Sequence, residues 1–89
     1  MRHVLQRVRF RREYKLQRRR GKKTDKLEEA VRLLIRDGNL PAKYQPHQLS
    51  GEFDGYWECH IESDWLLIYA VTDREVLLVR TGAHADLFE

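Results

Sequence analysis

The apolar positions of this chain follow two periods, one helical and one extended. Leu27, Ala30, Val31, Leu34 and Ile35 recur at i, i+3, i+4, i+7 and i+8. That spacing predicts a helix over 24–37 with one apolar stripe. Asp25, with Glu28 three residues on, resembles a capping box with Asp in the usual Ser or Thr position, and Gly38 supplies a stop. Phe10 and Tyr14 are four apart in a stretch of good helix formers, so a first helix is expected at about 10–20, broken by Gly21. Residues 2–8 alternate weakly and read as one strand. Residues 39–50 carry Pro41 and Pro46, have no period and read as a loop. Three strand-like runs follow. Residues 53–61 are aromatic-rich and alternating, 65–71 are continuously apolar as a central strand would be, and 76–80 come after a tight hairpin turn at 72–75. The tail, 83–88, is long enough for one helical turn. The order β-α-α-β-β-β predicts an α+β fold: a small antiparallel sheet with a mixed edge and both helices packed on one face.

Eighty-nine residues are expected to form a single domain, 1–89. The lone cysteine, Cys59, has no partner in the chain, which fits a reducing cytosol and a cytoplasmic protein. No run approaches the ~18 to 20 apolar residues of a membrane span, and no apolar stretch follows the N-terminal charges as in a secretory signal. No membrane partner is expected. The net charge of +3 conceals a strong polarity. Residues 1–43 hold 15 Lys and Arg against 5 Asp and Glu, whereas residues 44–89 hold 2 against 9. Such a basic half suits phosphates or an acidic protein partner, although a solvated helical face rich in Arg has the same composition.

Three of the four histidines, His47, His60 and His84, lie in the second half. Histidine titrates near neutrality, so several converging on one site can exchange protons with a substrate. A basic surface beside a histidine-rich site suggests an enzyme acting on a polyanion, and RNA is the natural candidate.

The segments Leu40-Pro41-Ala42-Lys43-Tyr44, His47-Gln48-Leu49-Ser50-Gly51, Gly55 to Tyr69 with its His60-x-x-x-Asp64-Trp65-Leu66-Leu67-Ile68-Tyr69 core, and Arg80-Thr81-Gly82-Ala83-His84 through Phe88 together resemble the YafQ branch of the RelE/ParE toxin superfamily. The resemblance follows the whole chain in element order and is densest over 40–88. It implies the RelE-like microbial RNase fold and a ribosome-dependent endoribonuclease, an mRNA interferase, that needs no cofactor or metal. It also implies a cognate antitoxin, with the toxin a monomer alone and hetero-oligomeric when silenced. Carried over by motif, the functional positions are His47, His60, Asp64, His84 and Phe88, with Glu58 where relatives often carry Asp. Trp57 replaces a commonly basic residue, and Ser63 replaces a usual proline.

On that reading His84 is the general acid, with Asp86 or the substrate phosphate supporting its charged form. His60 abstracts a proton or stabilises the phosphate, and Asp64, four residues on, orients it. His47 is either base or phosphate ligand. Arg80 either forks onto a phosphate or makes a strand-end ion pair. Phe88 either stacks on a base or packs the tail. Arg11, Arg12, Lys15, Arg18, Arg19, Arg20, Lys22 and Lys23, with few aromatics among them, are expected to grip an RNA backbone, ribosomal RNA above all.

Three other readings use the same residues. A zinc hydrolase would take His47, His60, His84, Asp64 and Glu58 as ligands, yet the chain has no His-x-x-x-His pair. A non-catalytic ParE-like toxin, or a degenerate one kept as a binding module, would not need imidazoles at these positions. A plain RNA-binding domain would not place its motifs in the acidic half.

Overall fold

The computed structural model describes residues 1–88. The chain runs β1 (His3–Gln6), α1 (Val8–Arg19), α2 (Thr24–Asp37), β2 (His47–Gln48), β3 (Trp57–Glu62), β4 (Trp65–Val71), β5 (Glu75–Gly82) and α3 (His84–Phe88), with single 3-10 turns at Ala42–Tyr44 and Gly51–Phe53. The strands form one sheet in the order β1-β5-β4-β3-β2. Strands β2 to β5 pair antiparallel, and β1 joins β5 in parallel. A parallel pair needs a long crossover, and the one from β1 to β5 includes α1 and α2. The expected α+β class holds, mixed edge included.

The continuously apolar run becomes β4, the middle strand, because both of its faces are covered. Trp65, Leu67 and Tyr69 point to one face, where Phe10 of α1 and Leu27, Ala30 and Leu34 of α2 pack against them. Both long helices therefore lie on that face, as expected. Leu66, Ile68 and Val79 point the other way, under Leu87 of α3 with Leu49, Phe53 and Tyr56 around them.

Local expectations needed correction in three places. The helix over 24–37 has no capping box: its N-cap is Lys23, without a side-chain cap. Glu28 instead accepts a hydrogen bond from the Tyr14 hydroxyl at 2.8 Å, which ties α1 to α2. The stretch 39–50 is not wholly loop, since His47 and Gln48 pair with Glu58 and Trp57; two residues are too few to show a period. The strand expected from 53 starts at Trp57, after the 3-10 turn at Gly51–Phe53. Gly38 does end α2, in the left-handed conformation at φ 77°.

Candidate active site

Strand alternation builds the site. Glu58 and His60 pair with Ile68 and Leu66, and so share the face turned away from α1 and α2. The short β2 sets His47 opposite Glu58. His84 opens α3, directly after β5. The outcome is a row of rings. His47 and His60 have centroids 6.5 Å apart, His60 and His84 6.0 Å, and His84 and Phe88 6.4 Å. Phe88 also meets Phe53 edge-on at 5.9 Å while remaining 46% exposed.

Each imidazole is anchored by one nitrogen or by both. His84 Nδ1 lies 2.7 Å from Asp64 Oδ1, which also accepts the His84 backbone N–H at 2.9 Å. These two bonds, the backbone one foremost, hold the Asp64 carboxyl below the usual carboxylate range. An ionised Asp64 can only accept, so it keeps a proton on Nδ1 and leaves His84 Nε2 for chemistry. His60 Nδ1 faces the Ser63 carbonyl at 3.3 Å, which likewise leaves Nε2. In His47 both nitrogens face acceptors: Nδ1 the Gln45 carbonyl at 3.1 Å, and Nε2 the Glu58 carboxylate at 3.2 Å. Glu58 is 4% exposed, and its Oε2 is buried with no hydrogen-bond partner among the described residues.

Several assignments change. Asp64 does not orient His60; it is bound to His84. The register explains this: Leu66 pairs with Gly82, and two further steps along the same antiparallel ladder bring Asp64 opposite His84. The sequence carries that signal once β4 and β5 are paired. Asp86 does not support His84. It accepts from Arg20 at 2.8 Å and from the Ala83 N–H at 2.8 Å, and the Arg20 bond is the first cause of its lowered pKa. Arg80 is not free to fork onto a phosphate. It is 8% exposed and clamps the Glu13 carboxylate through Nε and Nη2, with a further bond to the Asp86 carbonyl. The ion-pair reading is the correct one for it.

Glu13 carries no motif in the sequence and Thr81 stands there only within one, yet both brace the end of β5 that leads to His84. Glu13 also accepts the Thr81 N–H at 3.3 Å, and the Thr81 hydroxyl accepts from Trp65 Nε1 at 2.9 Å while donating to the Leu66 carbonyl at 2.7 Å. Trp57 sits on the helix side of β3, paired with Tyr69 and outside the histidine row.

The basic block divides in two. Arg20 and Lys22 are spent on Asp86 and Glu62, beside the site. Arg11, Arg12, Lys15, Arg18 and Arg19 fall at i, i+1, i+4, i+7 and i+8 on one exposed stripe of α1 and make no ion pair among the described residues. Lys23 is also exposed and without an ion pair there. No three His, Cys, Asp or Glu side chains among the described residues are grouped to hold a metal ion.

The geometry defines a small α+β protein with a row of acid–base groups beside a cationic helix. The family described as the bacterial toxin of a type II toxin–antitoxin system, YafQ, matches residues 2–89. The chain belongs to this family. It is 42% identical over 80 residues to the mRNA interferase toxin YafQ of Escherichia coli K12, covering 89% of this chain and 87% of that one. The crystal structure of YafQ from Escherichia coli BL21(DE3) superposes with a TM-score of 0.93 at 38% identity, and YafQ in the Escherichia coli DinJ–YafQ complex with 0.91 at 39%, each covering 100% of both chains.

Proposed function

We propose that the chain is an mRNA interferase, the toxin of a type II pair. It acts in the cytoplasm on messages held in the ribosome and is silenced by a cognate antitoxin. The observation that carries the chemistry is the row His47–His60–His84 at ring spacings of 6.5 and 6.0 Å, with Asp64 on His84. Groups so spaced can flank one phosphodiester. His60, anchored by a neutral carbonyl, takes the proton from the ribose 2′-hydroxyl. The 2′-oxygen attacks phosphorus as the bond to the 5′-oxygen breaks, and His84 donates its Nε2 proton to that oxygen. The products are a 2′,3′-cyclic phosphate and a 5′-hydroxyl. His47 is held through both nitrogens, by the Gln45 carbonyl and the Glu58 carboxyl, so it serves by its position beside the phosphate while His60 acts as the base. The antitoxin follows from family membership and from the opposed charge of a cationic helix.

The test uses purified ribosomes translating a defined message. Primer extension is expected to show cuts only when ribosomes are present. The fragments should carry 2′,3′-cyclic phosphate and 5′-hydroxyl ends. A 2′-O-methyl group on the nucleotide 5′ of a cut should abolish that cut. Cleavage that survives the methyl group would rule out the 2′-oxygen as nucleophile.

A further inference from the structure

A groove of about 430 Å³ opens between α2 and the edge of β3, with Asp25, Glu29, Arg32, Lys43, Tyr44 and His60 in its walls. It exists because β2 pairs with only Trp57 and Glu58. From Cys59 onward that edge of β3 has no neighbouring strand among the described residues, and the Ala42–Tyr44 turn packs against β3 nearby. The volume suits a nucleotide-sized ligand. His60, at the uncovered edge of β3, belongs both to the wall of this groove and to the histidine row.

The order of groups along this path fixes the direction of a bound strand. In the mechanism proposed above, His60 acts on the 2′-hydroxyl, which belongs to the nucleotide 5′ of the cut. His84 acts on the 5′-oxygen, which belongs to the nucleotide 3′ of it. Phe88 adjoins His84 at the one side of the row, and the groove, like His47, adjoins His60. We infer that this groove is the subsite for the nucleotide immediately 5′ of the cut, that Phe88 receives the 3′ nucleotide, and that Asp25 and Glu29 select a 5′ base bearing an exocyclic amino group.

The wall chemistry supports the base preference. Glu29 accepts from Arg32 at 2.8 Å, and that bond is the first cause of its lowered pKa, so it stands ionised as an acceptor. Carboxylates accept from the amino groups of adenine, cytosine and guanine; uracil has none to offer. Single-stranded RNA is read through such edges. Lys43 makes no ion pair among the described residues, and its Nζ lies 5.2 Å over the Tyr44 ring, free to meet a phosphate. The inference rests on the nuclease reading, and its test separates the two.

Cut sites are mapped by primer extension across a long translated message, with each variant also checked by thermal melting. Wild-type cuts are expected to be depleted of uracil immediately 5′ of the break. An Asp25→Asn, Glu29→Gln double variant should shrink that bias by roughly tenfold, the scale of discrimination at one base edge, with the 3′ base distribution unchanged. It should fold, since the Glu29–Arg32 pair is exposed. Lys43→Ala should raise KM and leave base preference alone. A wild-type 5′ distribution in the double variant would overturn the groove assignment, as would a change confined to the 3′ side or to antitoxin affinity. A wild-type protein that cuts nothing would overturn the nuclease reading itself, and the groove with it.

Discussion

His84 carries the most chemistry for the least structure. Its side chain is 55% exposed, and its anchor is Asp64, also on the surface. His84→Ala is expected to slow message cleavage by ~10² to 10⁴, the usual worth of positioned proton transfer. Stability should change little, within about 0.5 kcal/mol for an exposed position. Asp64→Asn should lose less, because an amide oxygen can still accept from the ring and the backbone N–H and so keep His84 in place. Primer extension beside thermal melting checks both; wild-type cutting by His84→Ala would make it a bystander. Cys59 gives the opposite case, a residue with reactive chemistry and no access. Burial pushes its thiol up to about 12, and it is fully enclosed. Native protein is expected to resist iodoacetamide at pH 8 and to label once unfolded; rapid native labelling would contradict this packing. The histidines were legible in the sequence as a set, because residue type and local motif are enough to nominate them. Their partners were not. Asp64 lies four residues from His60 and twenty from His84, yet bonds to the distant one, because strand pairing rather than sequence spacing decides what meets across a sheet.

At the scale of elements the critical joint is the one from β5 into α3. Gly82 is buried there, and a Cβ on it would lie 2.9 Å from the Asp86 Cβ and 3.0 Å from Asp86 Oδ2. Gly82→Ala must push Asp86 away, and α3 moves with it, taking His84 out of line. The expected result is a loss of about 1 to 3 kcal/mol, typical of overpacking, and a fall in cleavage larger than the stability change explains. Melting and cleavage at wild-type values would show that α3 yields freely. The Arg80–Glu13 clamp ties β5 to α1 with little exposure on either side. Glu13→Gln leaves that guanidinium without its carboxylate and should cost about 3 kcal/mol in a denaturant titration. The long elements were legible because their periods run for several residues: the stripe from Leu27 to Ile35 and the apolar run of β4. β2 was not legible, since its two residues acquire meaning only against β3. Arg80 was ambiguous for a related reason, because its partner stands 67 residues earlier on another element.

Over the whole molecule, the polarity of charge becomes a polarity of surface. Arg11, Arg12, Lys15, Arg18 and Arg19 line the exposed side of α1, while Arg20 and Lys22 turn to Asp86 and Glu62 beside the histidines. The first group is free to release counterions on meeting RNA; the second is already neutralised. The two groups should therefore fail differently. Alanine at Arg11, Arg12, Arg18 and Arg19 together is expected to weaken ribosome binding. It should also reduce the slope of log affinity against log salt by about 0.7 to 0.9 for each phosphate no longer neutralised. Cleavage at saturating protein should remain, because no histidine anchor is touched. Arg20→Ala should do the reverse. It releases Asp86, which holds the start of α3 through the Ala83 N–H, so turnover falls while the salt slope hardly moves. Ribosome binding across a salt titration and single-turnover cleavage, measured on both variants, distinguish grip from alignment. Were the fourfold variant to bind ribosomes with an unchanged slope but lose affinity for the antitoxin, the stripe on α1 would be the antitoxin's surface instead of the ribosome's.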